Sequence, residues 1–139
     1  MKKSQALKLY RELGFNLKSF ADEIKKKGFQ KIGEGAYKII YSKDKLGYVI
    51  KIAHSVNDEF AKISDKIKKY YIQPYFCDKH IVIQDKANTK FGASKRAYEI
   101  FKKKLGRTYC ESWDVYEDNC GEVNNEPVLF DYCEIPSRK

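Results

Sequence analysis

The stretch from Phe29 to Ala53 constrains this chain more than any other. Phe29–Ile32, Tyr37–Ser42 and Tyr48–Ala53 are short runs rich in β-branched and aromatic residues, separated by turn signals. The link Lys43-Asp44-Lys45-Leu46-Gly47 suits a hairpin turn, so the three runs predict three antiparallel strands. The pattern upstream is helical. Ala6, Leu7, Leu9, Tyr10 and Leu13 recur at helix spacing over residues 4–13, and Gly14 ends the run. Leu17, Phe20, Ala21 and Ile24 do the same over 16–27, with Gly28 as a C-terminal stop. Two amphipathic helices therefore precede the strands as a helical hairpin.

Downstream, Asn57 or Asp58 can cap a helix through about Tyr70, with Phe60, Ile63 and Ile67 facing inward. Tyr71–Phe76 and His80–Gln84 read as two more strands, the first irregular or at an edge because of Pro74. Residues 92–105 read as a helix with a basic last turn, which suits the helix dipole. A long loop, a turn at Asn124-Asn125 and a strand Pro127–Tyr132 complete the order. The expected class is α+β.

With 139 residues, 42% hydrophobic and 34% charged, the chain can build one small core. We therefore expect a single compact domain over residues 1–139, neither disordered nor multidomain. The longest apolar runs resemble Ile81-Val82-Ile83, far short of a membrane span. The basic N-terminus lacks the apolar stretch of a signal peptide, so a cytoplasmic location without membrane contact is expected. Cys77, Cys110, Cys120 and Cys133 have no zinc-knuckle spacing, and only His54 and His80 could join them. Free, reduced thiols follow from that reading.

The net charge of +9 hides a split. Residues 1–108 hold 26 basic and 11 acidic side chains, whereas residues 109–139 hold 2 and 8. A chain that grips an anion with its first part and metal cations with its last would divide its charge in this way. A solvated surface would also do so by chance.

Three segments carry candidate chemistry. In Gly33-Glu34-Gly35-Ala36-Tyr37, two glycines let a hairpin tip approach a ligand, with backbone N–H groups free to face phosphate oxygens. In Tyr48-Val49-Ile50-Lys51-Ile52, a lysine interrupts an apolar strand and projects opposite Ile50 and Ile52. In the acidic tail, Asp114 and Asn119 stand five apart, and Asp131 follows the apolar run Val128-Leu129-Phe130. Oxygen ligands from separate segments are what magnesium bridging substrate phosphates requires.

The order of these pieces, over roughly residues 29–133, resembles the protein kinase-like fold. Phe29 to Tyr37 is similar to the kinase glycine-rich loop, and Val49-Ile50-Lys51 to the strand with the phosphate-binding lysine. Asp114 through Asn119 keeps the Asp-x-x-x-x-Asn spacing of the catalytic loop. Phe130-Asp131-Tyr132-Cys133 stands where the family has Asp-Phe-Gly. The resemblance implies an antiparallel-sheet N-lobe over 29–86, a strongly reduced C-lobe over 87–139, and a helical extension over 1–28. It further implies ATP and magnesium as cofactors, with Gly33 and Gly35 over the phosphates and Lys51 on the α/β-phosphates. Asp114 would be the catalytic base, and Asn119 and Asp131 the metal ligands. Glu59 is the best match for the glutamate that orients the lysine. The segment Ile83-Gln84-Asp85-Lys86 would be the hinge that meets adenine, through Gln84 and Lys86.

There are departures. The third loop glycine is replaced, with Lys38 nearby, Ser112-Trp113 replaces His-Arg, Tyr116 replaces a lysine, and Cys133 replaces the closing glycine. The chain stops six residues after Cys133, so the resemblance implies no activation segment and no helices for a peptide substrate. Such reduced chains resemble viral or mobile-element proteins. The implied activity is phosphotransfer to a protein partner or to the protein itself. The alternative is a pseudokinase scaffold that binds a partner without catalysis. A third reading, nucleic-acid binding suggested by Lys68-Lys69-Tyr70-Tyr71 and the net charge, ranks last because it leaves the charge split unexplained. The N-terminal helices would buttress the fold, or mediate self-association or partner binding.

Overall fold

The computed structural model describes residues 1–35, 38–55, 67, 69–113 and 115–130. It is an α+β structure whose chain divides into two compact units, Met1–Phe60 with Pro74–Asp85, and Ala61–Gln73 with Lys86–Lys139.

The first unit begins with helices α1 (Lys3–Glu12) and α2 (Leu17–Lys26). The Asn16 side chain caps α2 by accepting from the Ser19 N–H, and Gly28, at φ +96°, turns the chain out of the helix. A five-stranded antiparallel sheet follows: β1 (Gln30–Glu34), β2 (Lys38–Ser42), β3 (Tyr48–Ala53), β4 (Phe76–Cys77) and β5 (Ile81–Asp85). Its strand order is β1-β2-β3-β5-β4, which puts β3 at the centre. One face packs on the helices. Ala6, Tyr10, Phe20 and Ile24 from α1 and α2 share a core with Tyr41, Ile50, Ile52, Ile81 and Ile83 from the sheet. The predicted hairpin link closes with Leu46 N–H donating to the Lys43 carbonyl.

The second unit is built on α3 (Ala93–Leu105), packed against the antiparallel hairpin β6 (Cys120–Val123) and β7 (Glu126–Leu129). Ile67, Tyr71, Ala97, Phe101, Cys110, Val115, Cys120 and Leu129 form its core. A short helix α4 (Arg107–Ser112) and a 3₁₀ turn at Glu117–Asn119 lie between.

Several expectations need correction. The run 71–76 is not a strand of the sheet. Tyr71 instead makes a parallel bridge to Leu129 in the second unit, and only Phe76–Cys77 pairs with β5. Pro74 lacks the N–H that a continuous ladder would need. The supposed long loop after residue 105 holds α4, the 3₁₀ turn and β6. The helix proposed from Asn57 or Asp58 lies outside the described residues apart from Ile67, which is helical and buried, and 69–70. No helix among the described residues is long and apolar enough to cross a membrane.

Candidate functional site

The sheet face away from α1 and α2 is where most of the described site residues meet. Pairing fixes which side chains share it. Gly33 lies opposite Ile40, Ile40 opposite Lys51, and Lys51 opposite Val82, so Gly33 and Lys51 occupy one row across the sheet. Val49 pairs with Gln84, which puts Gln84 on the same face, diagonal to Lys51. The hairpin tip closes where the Gly35 N–H donates to the Lys38 carbonyl at 2.9 Å.

Burial on this face is unusual. β3 is buried along its whole length, Tyr48 to Ala53. The buried polar and charged residues among the described ones are Lys38 at 1% exposure, Ser42 at 4%, Lys51 at 1% and Gln84 at 1%. By pairing register all four belong to this one face. Burying an ammonium group is costly unless negative or polar oxygens surround it, and lysine is rarely buried otherwise. Lys38, Lys51 and Gln84 each meet this demand through interactions within the chain. A cleft of about 690 Å³ opens on the opposite, helix-covered side. Phe15, Lys18, Lys25, Tyr41 and His54 are among its lining residues, and no sequence-predicted site residue is.

In the second unit, Asn119 ends the 3₁₀ turn and leads directly into β6. Cys120 pairs with Leu129, and the Asn119 carbonyl accepts from the Phe130 N–H at 3.3 Å. The hairpin thus brings Asn119 beside Phe130, the residue that precedes Asp131 in sequence. Lys86 opens the second segment of this unit and is exposed. Among the described residues, no group of three or more His, Cys, Asp or Glu side chains gathers as a metal cage. The oxygen donors proposed from sequence, Asn119 and Asp131, are of the hard type that magnesium prefers, so the donor chemistry fits that ion. Asp114, Asp131 and Glu59 lie outside the described residues.

Cys110 and Cys120 are buried in the second unit, and burial pushes the Cys110 thiol above its usual range, away from nucleophile chemistry. Sequence reading missed the burial of Lys38, which it noted only as standing near the third loop glycine's position. Period-2 alternation held the signal: Lys38, Ile40 and Ser42 project to one face of β2, and Ile40 is the partner of Lys51.

In comparisons with known proteins, no family model, curated protein or solved structure matches the chain.

Proposed function

We propose that the chain is a minimal kinase-like phosphotransferase that binds ATP and magnesium and passes the γ-phosphate to a protein partner or to itself. The observation that carries this reading is Lys51, 1% exposed on the central strand and in one cross-strand row with Gly33 of the glycine hairpin. Gly33 and Gly35 would leave room for phosphates at the hairpin, and Lys51 would pair with them. Gln84, at the far end of the same face, would stand toward the nucleoside, with Lys86 just beyond it in sequence. The β6–β7 hairpin supports the remaining roles, because it sets Asn119 beside the residue that precedes Asp131.

Each residue then has a definite task. Asp114 would hold the acceptor hydroxyl and take its proton as the new bond to the γ-phosphorus forms and the bond from that phosphorus to the departing ADP breaks. Asn119 and Asp131 would hold magnesium, which when bound neutralises charge on the phosphates. Lys51, within a surround of low polarisability, would oppose the same charge at little reorganisation cost. Glu59 would fix the lysine.

Incubating the purified chain with γ-labelled ATP and magnesium, alone and with cell lysate, tests the proposal. Transfer is expected, and Asp114→Asn should lower it by about 10²–10⁴-fold while leaving nucleotide affinity nearly intact. Asp131→Ala should lose both. Full activity in Asp114→Asn would sink the assignment of the base. Binding without transfer would make the chain a scaffold of the pseudokinase kind.

A further inference from the structure

The cleft of about 690 Å³ on the helix-covered side of the sheet lies within the first unit, and the phosphotransferase reading leaves it without a role. α2 supplies Lys18, Ala21 and Lys25 to its wall, while β2 and β3 supply Ile39, Tyr41 and Ile52. Small-molecule pockets have volumes of about 300–1,000 Å³, so the size suits a small ligand. Part of the wall is apolar and incompletely covered. Ala21 and Ile39 pack against the core yet stay only partly buried. Phe15, also in the lining, is 55% exposed and holds φ at +62°, a left-handed backbone that bulky side chains rarely adopt. Its ring stands at 89° to that of Tyr10 with centroids 5.1 Å apart, which gives it a fixed seat.

The charged side chains of the lining are Lys18 and Lys25 against Asp22, a positive excess. Lys25 Nζ lies over the Tyr41 ring, 5.8 Å from its centroid, and Lys18 stands two turns earlier on α2. Both lysines are exposed, so neither needs a ligand to be stable. What they add is a preference for negative charge beside an apolar wall. We propose that this cleft binds a small amphipathic organic anion, with a flat apolar body against Phe15, Ala21 and Ile39 and a carboxylate toward Lys18 and Lys25. An inorganic phosphate gains nothing from that wall, because it has no apolar surface to bury there. A neutral aromatic of the same shape gains nothing from the lysines. The inference is independent of the phosphotransferase reading, which uses the other face of the sheet.

Titration of the full chain with sodium naphthoate, and separately with uncharged naphthylmethanol, tests the site when followed by backbone amide NMR shifts. Naphthoate should saturate one site and bind about tenfold tighter than naphthylmethanol, with the largest shifts at Phe15, Lys18, Ala21 and Ile39. Lys25→Gln should weaken naphthoate by about threefold, and Lys18→Gln combined with it by about tenfold, with naphthylmethanol unaffected. Phe15→Gly, which suits the positive φ, should weaken both ligands by about tenfold. Circular dichroism checks the fold of each variant. If Phe15→Gly does not fold, the lysine variants decide, since both side chains are exposed. Equal wild-type affinities for the two ligands would overturn the inference, as would naphthoate affinity unchanged in the double lysine variant. Shifts clustered around Lys51 instead, or no saturable binding at millimolar naphthoate, would overturn it as well.

Discussion

Tyr10 fastens α1 to the sheet through one hydroxyl. It is 1% exposed, and its O–H donates to Asp78 Oδ2 at 3.0 Å. Asp78 in turn accepts from the His80 and Ile81 N–H groups, both at 2.8 Å, which sets the turn into β5. Tyr10→Phe should therefore lower stability by about 1 kcal/mol, read from urea unfolding. Burial first, and Asp78 second, raise the Tyr10 phenol well above its ordinary range. Its contribution is fully present below the unfolded phenol's pKa of about 10 and is lost as the pH rises beyond that. The difference between wild type and Tyr10→Phe should accordingly shrink above about pH 10. A constant difference across that range would mean that the phenol ionises alike in both states. The helix spacing of Tyr10 was legible in the sequence. Its tie to Asp78, 68 residues away, was not, because no local pattern encodes a contact that distant.

Among the elements, the β6–β7 hairpin shows best what a sequence reveals and what it hides. Asn124 and Asn125 take φ of +51° and +65°, the left-handed pair that a two-residue hairpin turn demands and asparagine tolerates. That turn was readable. The helix α4 was not: Arg107–Ser112 is six residues with Cys110 alone buried, too short to display a period. Nor was the close approach at Gly121, where an added Cβ would lie 2.7 Å from the Asn88 carbonyl oxygen. That segment is locked there by Asn88 N–H donating to Glu122 O and the reverse bond. Gly121→Ala should cost about 1–3 kcal/mol in chemical unfolding, since backbone rather than a flexible side chain must yield. Arg96 clamps the same strand through Nε and Nη2 to the two Glu122 carboxylate oxygens, at 3.2 and 2.9 Å. That hydrogen bonding holds the Glu122 carboxyl below its ordinary value. Its contribution is present above the unfolded carboxyl's pKa of about 4.3 and fades as the pH falls further. Arg96→Gln should therefore destabilise the protein at neutral pH and hardly at all at low pH. An equal loss at both would assign Arg96 a packing role instead.

For the whole molecule, the α+β class, the helical pair and the first three strands were legible because each repeats a short-range period. The buried face of the sheet was not, because it depends on which strands pair. β5 joins β3 across some thirty residues of chain, and this pairing puts Gln84 on the face of Lys51. Within the first unit α1 and α2 cover one sheet face with Ala6, Leu7, Tyr10, Leu17, Phe20 and Ile24. Deleting residues 1–27 would expose Ile50, Ile52, Ile81 and Ile83 together, so the remainder should be insoluble or unfolded by circular dichroism. A soluble, folded remainder would contradict the buttress role.

The claim that matters most is that this fold holds ATP with magnesium, and ligand-dependent melting tests it most directly. A ligand that binds only the folded state raises the melting temperature, with about 2.7 kcal/mol gained at a hundred times the Kd. The account predicts a clear rise with millimolar ATP and magnesium, reduced in Lys51→Met and lost in Asp131→Ala. An unchanged melting temperature at millimolar nucleotide would contradict it.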